Sequence, residues 1–210
     1  MREETHGKSN IEAILLDLGG VLIDWNPRYL YRRHFGADLE AMEDFLARVC
    51  APEWNLEMDA GKPSGEAVAE RQRRFPEHAA LIALWKDEWA QMLRDAIPET
   101  VQILAELRAR GQRLFALTNW SAETFPVAQA RFPFLQWFED IVVSGEVKLV
   151  KPDPRIYRLA LERNRLRADS TLFVDDAVHN VQAARALGLP AIHFQSPLAL
   201  RAELAQRGLL

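Results

Sequence analysis

The apolar run IEAILL at residues 11–16 stands alone near the start of the chain, and every comparable run lies beyond residue 98. Its aliphatic and β-branched content predicts a strand. A strand without neighbours leaves its backbone donors and acceptors unpaired, so the fold must return to this segment from far downstream. The partners are four short runs: RLFALT at 113–118, DIVVS at 140–144, TLFVD at 171–175 and AIHF at 191–194. Between them, residues 99–110, 154–164 and 177–187 carry helical periodicity. The first of these sets Val101, Leu104 and Leu107 on one face and stops at Gly111, while the last runs into Gly188-Leu189-Pro190; both endings suit a helix C-terminus. Alternation of this kind predicts repeated β-α units and a Rossmann-like parallel sheet of the α/β class.

The block between the first strand and its partners has another texture. Asn26-Pro27 reads as an N-cap and first helical residue, leading a helix to Gly36. Asp38 caps a second helix with Leu39, Met42, Leu46 and Val49 on one side, and Cys50 reads as a small buried hydrophobe. Residues 64–75 and 79–93 continue the helical pattern, the latter with Trp85, Trp89 and Met92 on its apolar face. The expected organisation is an α/β catalytic core over 11–23 and 97–210, an all-helical cap subdomain inserted at 24–96, and a flexible polar tail over 1–10. Asp24-Trp25-Asn26-Pro27 reads as hinge and helix cap. Residues 54–61 (WNLEMDAG), with Glu57 and Asp59, read as a connection between helices, either a solvated loop or one that faces a substrate.

Composition narrows the partners. The net charge of −4 provides no basic field for nucleic acid or an anionic membrane, and no apolar run approaches the roughly 20 residues that cross a bilayer. Residues 1–10 lack the apolar segment of a signal peptide. The single cysteine can make no intramolecular disulfide. A cytoplasmic protein is expected, monomeric by default.

Ligands of open parallel sheets bind at the carboxyl ends of the strands. There this chain places Asp17-Leu18-Gly19-Gly20, then Thr118-Asn119, then Lys148 and Lys151-Pro152, then Asp175-Asp176. Three carboxylates, a hydroxyl, an amide and an ammonium converge on one edge. A carboxylate attacking a phosphate dianion meets repulsion of about 4 kcal/mol per unit-charge pair at about 4 Å and an effective dielectric near 20. Acidic oxygens suit Mg²⁺, which binds through one or two carboxylates plus the substrate phosphate, and a lysine supplies the remaining positive charge.

In that order, Asp17-Leu18-Gly19-Gly20-Val21-Leu22, Thr118-Asn119, Lys151-Pro152 and Phe173-Val174-Asp175-Asp176 resemble the four motifs of the haloacid dehalogenase superfamily, and the helical insert resembles its cap. The resemblance implies Asp17 as nucleophile and metal ligand, with the Gly19 carbonyl as a second ligand. It implies Thr118 and Asn119 on the phosphoryl oxygens and Lys151 neutralising nucleophile and phosphate. Asp176 takes the place of the direct acidic metal ligand and Asp175 that of its supporting neighbour or second ligand, with Asn180 helping to orient them. The activity implied is a Mg²⁺-dependent phosphomonoester hydrolase that forms an aspartyl-phosphate on a small phosphorylated metabolite. Phosphatases of the superfamily carry a second aspartate two positions after the nucleophile, as general acid and base; here that position is Gly19. A glycine there resembles the glucose-1-phosphate phosphatase-like branch, which points to a sugar phosphate, and Asp24 or His179 are the substitutes the sequence offers for the missing acid.

Two other readings stand beside this one. A metal-independent 2-haloacid dehalogenase also lacks the second aspartate and wants a cap arginine, for which Arg28, Arg32 and Arg33 are available, although two adjacent carboxylates oppose an anionic substrate in a metal-free site. A non-catalytic module that binds a phosphorylated ligand would retain the fold without the chemistry.

Overall fold

The computed structural model describes residues 10–210, so the expected flexible tail lies, residue 10 apart, outside the described residues. The chain forms β1 (Ala13–Leu16), β2 (Ile23–Trp25), α1 (Arg28–Phe35), α2 (Leu39–Arg48), α3 (Pro52–Asp59), α4 (Ser64–Arg74), α5 (Ala79–Asp87) and β3 (Leu93–Ala96). It continues with α6 (Pro98–Ala109), β4 (Arg113–Thr118), α7 (Phe125–Arg131), β5 (Asp140–Val143), α8 (Ser144–Val147) and α9 (Pro154–Arg163). The last elements are β6 (Thr171–Asp175), α10 (Val178–Ala186), β7 (Ala191–His193) and α11 (Pro197–Gln206).

Five strands form one parallel sheet in the order β5-β4-β1-β6-β7. β1 is central, and all four of its residues are buried, as befits a strand covered on both faces. Successive side chains point to opposite faces, and the core divides accordingly. Ile14 and Leu16 join one apolar cluster, whereas Ala13 and Leu15 join the other. The first cluster runs on through Phe45, Trp54 and Trp85 into the helical insert, so insert and sheet share a core. Among the described residues no helix is long and apolar enough to cross a membrane.

The insert leaves and returns through a two-stranded antiparallel ribbon, β2 against β3. The hinge expected at Asp24-Trp25 is thus partly strand, and the helix expected over 79–93 ends at Asp87, passes through a 3₁₀ turn at Trp89–Met92 and becomes β3. Asn26 Oδ1 accepts from the Arg28 N–H at 3.0 Å and Asp38 Oδ1 from the Ala41 N–H at 3.0 Å, the capping roles read from sequence. A larger correction concerns residues 54–61: most of that supposed connection is helix α3, opened by Pro52 after Ala51, an ordinary helix start. Ser144 begins helix α8 instead of ending β5, and α7 and α11 were not anticipated.

Candidate active site

The parallel register sets the cleft. Leu16 of β1 stands beside Ala116 of β4 and Val174 of β6, so Asp17 emerges level with the last residues of both neighbours. Its N–H donates to the Val174 carbonyl at 2.8 Å, and its Oδ1 accepts from the Leu18 N–H at 2.7 Å. Lys151 arrives from the segment after α8 and is 1% exposed. Its Nζ lies 3.0 Å from Asp17 Oδ1 and 2.7 Å from Asp175 Oδ2, and it donates to the Leu117 carbonyl at 2.9 Å. Burial works against the ammonium, but Asp17 and Asp175 outweigh it and hold the Lys151 pKa above the ordinary lysine value. For Asp17 the balance falls the other way. Burial raises its carboxyl well above the usual range, Lys151 pulls it down, and Asp175 and Asp176 add repulsion.

The two adjacent acids divide their labour. Asp175 is fully buried, with Oδ1 accepting from the Ala177 N–H at 2.8 Å and from Asn180 Nδ2 at 3.0 Å while Oδ2 faces Lys151. Its oxygens are largely committed to orienting neighbours. Asp176 is exposed and lines the cleft together with Asp17, Gly19, Thr118 and Asn119. The side-chain amide of Asn119 is clasped to the backbone of Lys151, donating to its carbonyl at 3.0 Å and accepting from its N–H at 2.8 Å. In this arrangement Asn119 aligns the lysine segment. Lys148, the other lysine considered, is exposed at the end of α8.

Asp17, Asp175 and Asp176 offer oxygens that all lie within 4.8 Å of one another, a hard donor set that fits Mg²⁺. Space around that set is reserved by Gly20. At φ +71°, a Cβ on Gly20 would stand 2.3 Å from Asp176 Oδ2, so the glycine is a cradle for the carboxylate. Gly20→Ala is expected to displace Asp176 and weaken binding of a divalent cation at this set by about 10- to 100-fold, the usual consequence of disturbing a ligand's support, as read by titration with Mg²⁺. Gly111→Ala is the control. It shares a positive φ, +78°, but nothing lies within 4 Å of the added Cβ, so it should lower stability by about 1 kcal/mol and leave the cation titration unchanged.

Above the carboxylates opens a cavity of about 300 Å³. One wall belongs to the insert, including Trp25, Asn55, Met58, Asp59, Trp85 and Trp89; Trp120 and Ser121 face it from the core. Sequence reading missed Asn55 and left Asp59 between a solvated loop and one facing the substrate, yet their positions with Met58 at i, i+3 and i+4 form one face of a helix. Recognising Pro52 as a helix start would have exposed the pattern. The same residues tie insert to core: Ser144 Oγ accepts from the Trp120 N–H at 2.9 Å and donates to the Asp59 carbonyl at 2.6 Å.

Known proteins resemble this chain in sequence and in fold. Across 206 residues, 94% of this chain and 97% of the relative, the sequence is 28% identical to the sesquiterpene phosphatase astK of Aspergillus oryzae. It is 30% identical over 190 residues, 85% of this chain and 80% of the relative, to a phosphoglycolate phosphatase of Nitrosospira multiformis. A crystal structure of a HAD-family enzyme from Bacteroides thetaiotaomicron, in complex with magnesium and inorganic phosphate, superposes with a TM-score of 0.65 at 22% identity, covering 88% of this chain and 94% of that one. The family model for haloacid dehalogenase-like hydrolases matches residues 11–188, from the first strand of the sheet to the end of the last helix beside the acidic pair. The chain is therefore a member of the haloacid dehalogenase-like hydrolase family.

Proposed function

We propose that the protein hydrolyses small phosphomonoesters with Mg²⁺ by way of a phosphoryl group held on Asp17. The observation that carries the proposal is the ammonium of Lys151 buried between Asp17 and Asp175 at the meeting of three strand ends. A buried lysine is retained at such cost only with partners, and this one faces the position where one anion must approach another. Asp17 attacks phosphorus, Lys151 offsets the charge of nucleophile and phosphoryl oxygens, and Thr118, buried at the end of β4, lines the place those oxygens would take. Asp17, Asp176 and the Gly19 carbonyl would hold the cation, with Asp175 in support. Bound there, Mg²⁺ would supply electrophilic stabilisation of the phosphoryl charge. Two relatives that match most of the chain are phosphatases by name.

The cavity walls refine the substrate. Trp25, Met58, Trp85, Trp89 and Trp120 give the space for the leaving group large apolar surfaces, which bind apolar groups by removing them from water. An aryl or isoprenoid-type monophosphate therefore suits the pocket better than a fully hydroxylated hexose 1-phosphate, and the likeness to a sesquiterpene phosphatase supports the same ranking. The dehalogenase reading loses its anchor. No arginine lines the cavity among the described residues, Arg28 is paired with Glu43 at 2.5 Å, and Arg33 hydrogen-bonds to Gln91.

Turnover of a monophosphate panel with Mg²⁺ is the test. Release of inorganic phosphate should be abolished by excess EDTA and restored by Mg²⁺, with kcat/KM higher for prenyl and aryl monophosphates than for hexose 1-phosphates. Halide release from a 2-haloacid in EDTA would overturn the reading, and a preference for the hexose phosphates would overturn the ranking.

A further inference from the structure

Gly19 leaves the leaving group without the acid that its family position would supply, and neither substitute read from sequence is placed to serve. The Asp24 carboxylate accepts from the Tyr29 hydroxyl at 2.7 Å and His179 is exposed on α10, and neither lines the cavity. One carboxyl from the insert does. We infer that Asp59, at the C-terminal end of α3, is the general acid that protonates the leaving oxygen and then the general base that activates water, resting on the phosphomonoester reading of the same cleft.

Three features of its setting support that role. Asp59 is 8% exposed and lines the same cavity as Asp17, on the wall that the insert supplies. Its Oδ2 accepts from Asn55 Nδ2 at 2.8 Å, while the ammonium of Lys151 forms its ion pairs with Asp17 and Asp175. Among the described residues no cation forms an ion pair with Asp59, and Lys151 opposes the rise only from farther away. Burial pushes the carboxyl up to about 7, with the Ser121 backbone N–H opposing and Asp17 adding to the rise, a value suited to exchanging a proton near neutrality. The backbone is fixed as well, because its carbonyl accepts from Ser144 Oγ at 2.6 Å across the junction of insert and core.

As Asp17 forms its bond to phosphorus, the bond from phosphorus to the ester oxygen breaks, its electron pair stays on that oxygen, and the Asp59 proton goes there to release the alcohol. Water then attacks the phosphoryl group on Asp17. Its proton passes to the Asp59 carboxylate, the bond from phosphorus to the aspartyl oxygen breaks with its pair returning to Asp17, and phosphate departs with both side chains as they began.

A purely structural Asp59 and an acid differ in how the loss depends on the leaving group. The experiment compares Asp59→Asn with wild type on aryl and alkyl monophosphates of rising leaving-group pKa, with Mg²⁺ saturating and folding verified by thermal melts. Loss of an acid should cost little with p-nitrophenyl phosphate, whose leaving group needs no proton, and about 10²-fold or more with alkyl phosphates. A uniform loss across the series, or none, overturns the assignment. A wild type that hydrolyses none of the series removes the phosphatase reading and this assignment together. Gly19→Asp in the Asp59→Asn background adds a second check. Position 19 has no atom within 4 Å of a new Cβ, so a carboxyl placed there should restore turnover of alkyl phosphates; an unchanged dependence on the leaving group counts against Asp59 as the acid.

Discussion

Asp17→Asn should reduce turnover by a factor on the order of 10⁴ to 10⁶, the scale on which removing a nucleophile acts in other enzymes, while the fold is kept. The substitution changes one oxygen for an amide nitrogen, so the side-chain acceptor for the Leu18 N–H and for Lys151 can remain in place. What disappears is the carboxylate proposed as the nucleophile. Stability should not fall with it. Burial holds the Asp17 carboxyl above its ordinary range. A carboxyl whose pKa is raised on folding costs stability as pH climbs from the ordinary carboxylate range, about 3.9, through the raised value, and a neutral amide removes that cost. At neutral pH the variant is expected to melt at or above the wild-type temperature, the usual opposition of stability and function at an active site. Phosphate release and a thermal melt on the same preparation decide the matter, and near wild-type turnover would end the proposed mechanism.

The arrangement of the sheet was legible because a parallel core writes itself in short apolar runs. Residues 11–16 had to be paired from beyond residue 98, and the polar residues following each run therefore had to share an edge. Helix ends were equally readable where glycine takes a positive φ, as at Gly111 and Gly188. The opposite wall of the cavity was not legible. β2 and β3 are a three- and a four-residue strand, too short for alternation to register, and β3 carries Arg94 and Asp95 toward solvent. Helix α3 shows little amphipathic contrast because both its flanks have work: Trp54 packs against Trp85 with centroids 5.2 Å apart, while Asn55, Met58 and Asp59 line the cavity. Only Pro52, Glu53 and Glu57 of α3 are exposed, too narrow a polar face for a helical period to stand out. Periodicity thus located the acidic end of the cavity and hid the wall that the insert supplies.

The choice between Lys148 and Lys151 shows how much depends on burial. Lys148 projects from the surface, whereas Lys151 is enclosed between acids from two different strands, and its removal is the most disruptive single change to the core of the site. In Lys151→Met, Asp175 keeps the Ala177 N–H and Asn180, and Asp17 keeps the Leu18 N–H, but two buried carboxylates then confront each other with no cation between them. Breaking a buried pair in this way costs about 3 to 5 kcal/mol, which for a chain of this size lowers Tm by roughly 6 to 20 °C. Methionine fills most of the volume, so the loss should come from charge more than from a void. The double variant Lys151→Met/Asp175→Asn separates the two causes. Neutralising Asp175 should recover more than half of the lost stability in urea unfolding, because the partners interact directly, while turnover stays low for want of the ammonium beside Asp17. A single Lys151→Met variant as stable as wild type would mean that the strand ends are held by the sheet alone, and that the buried lysine serves the chemistry without stabilising the fold.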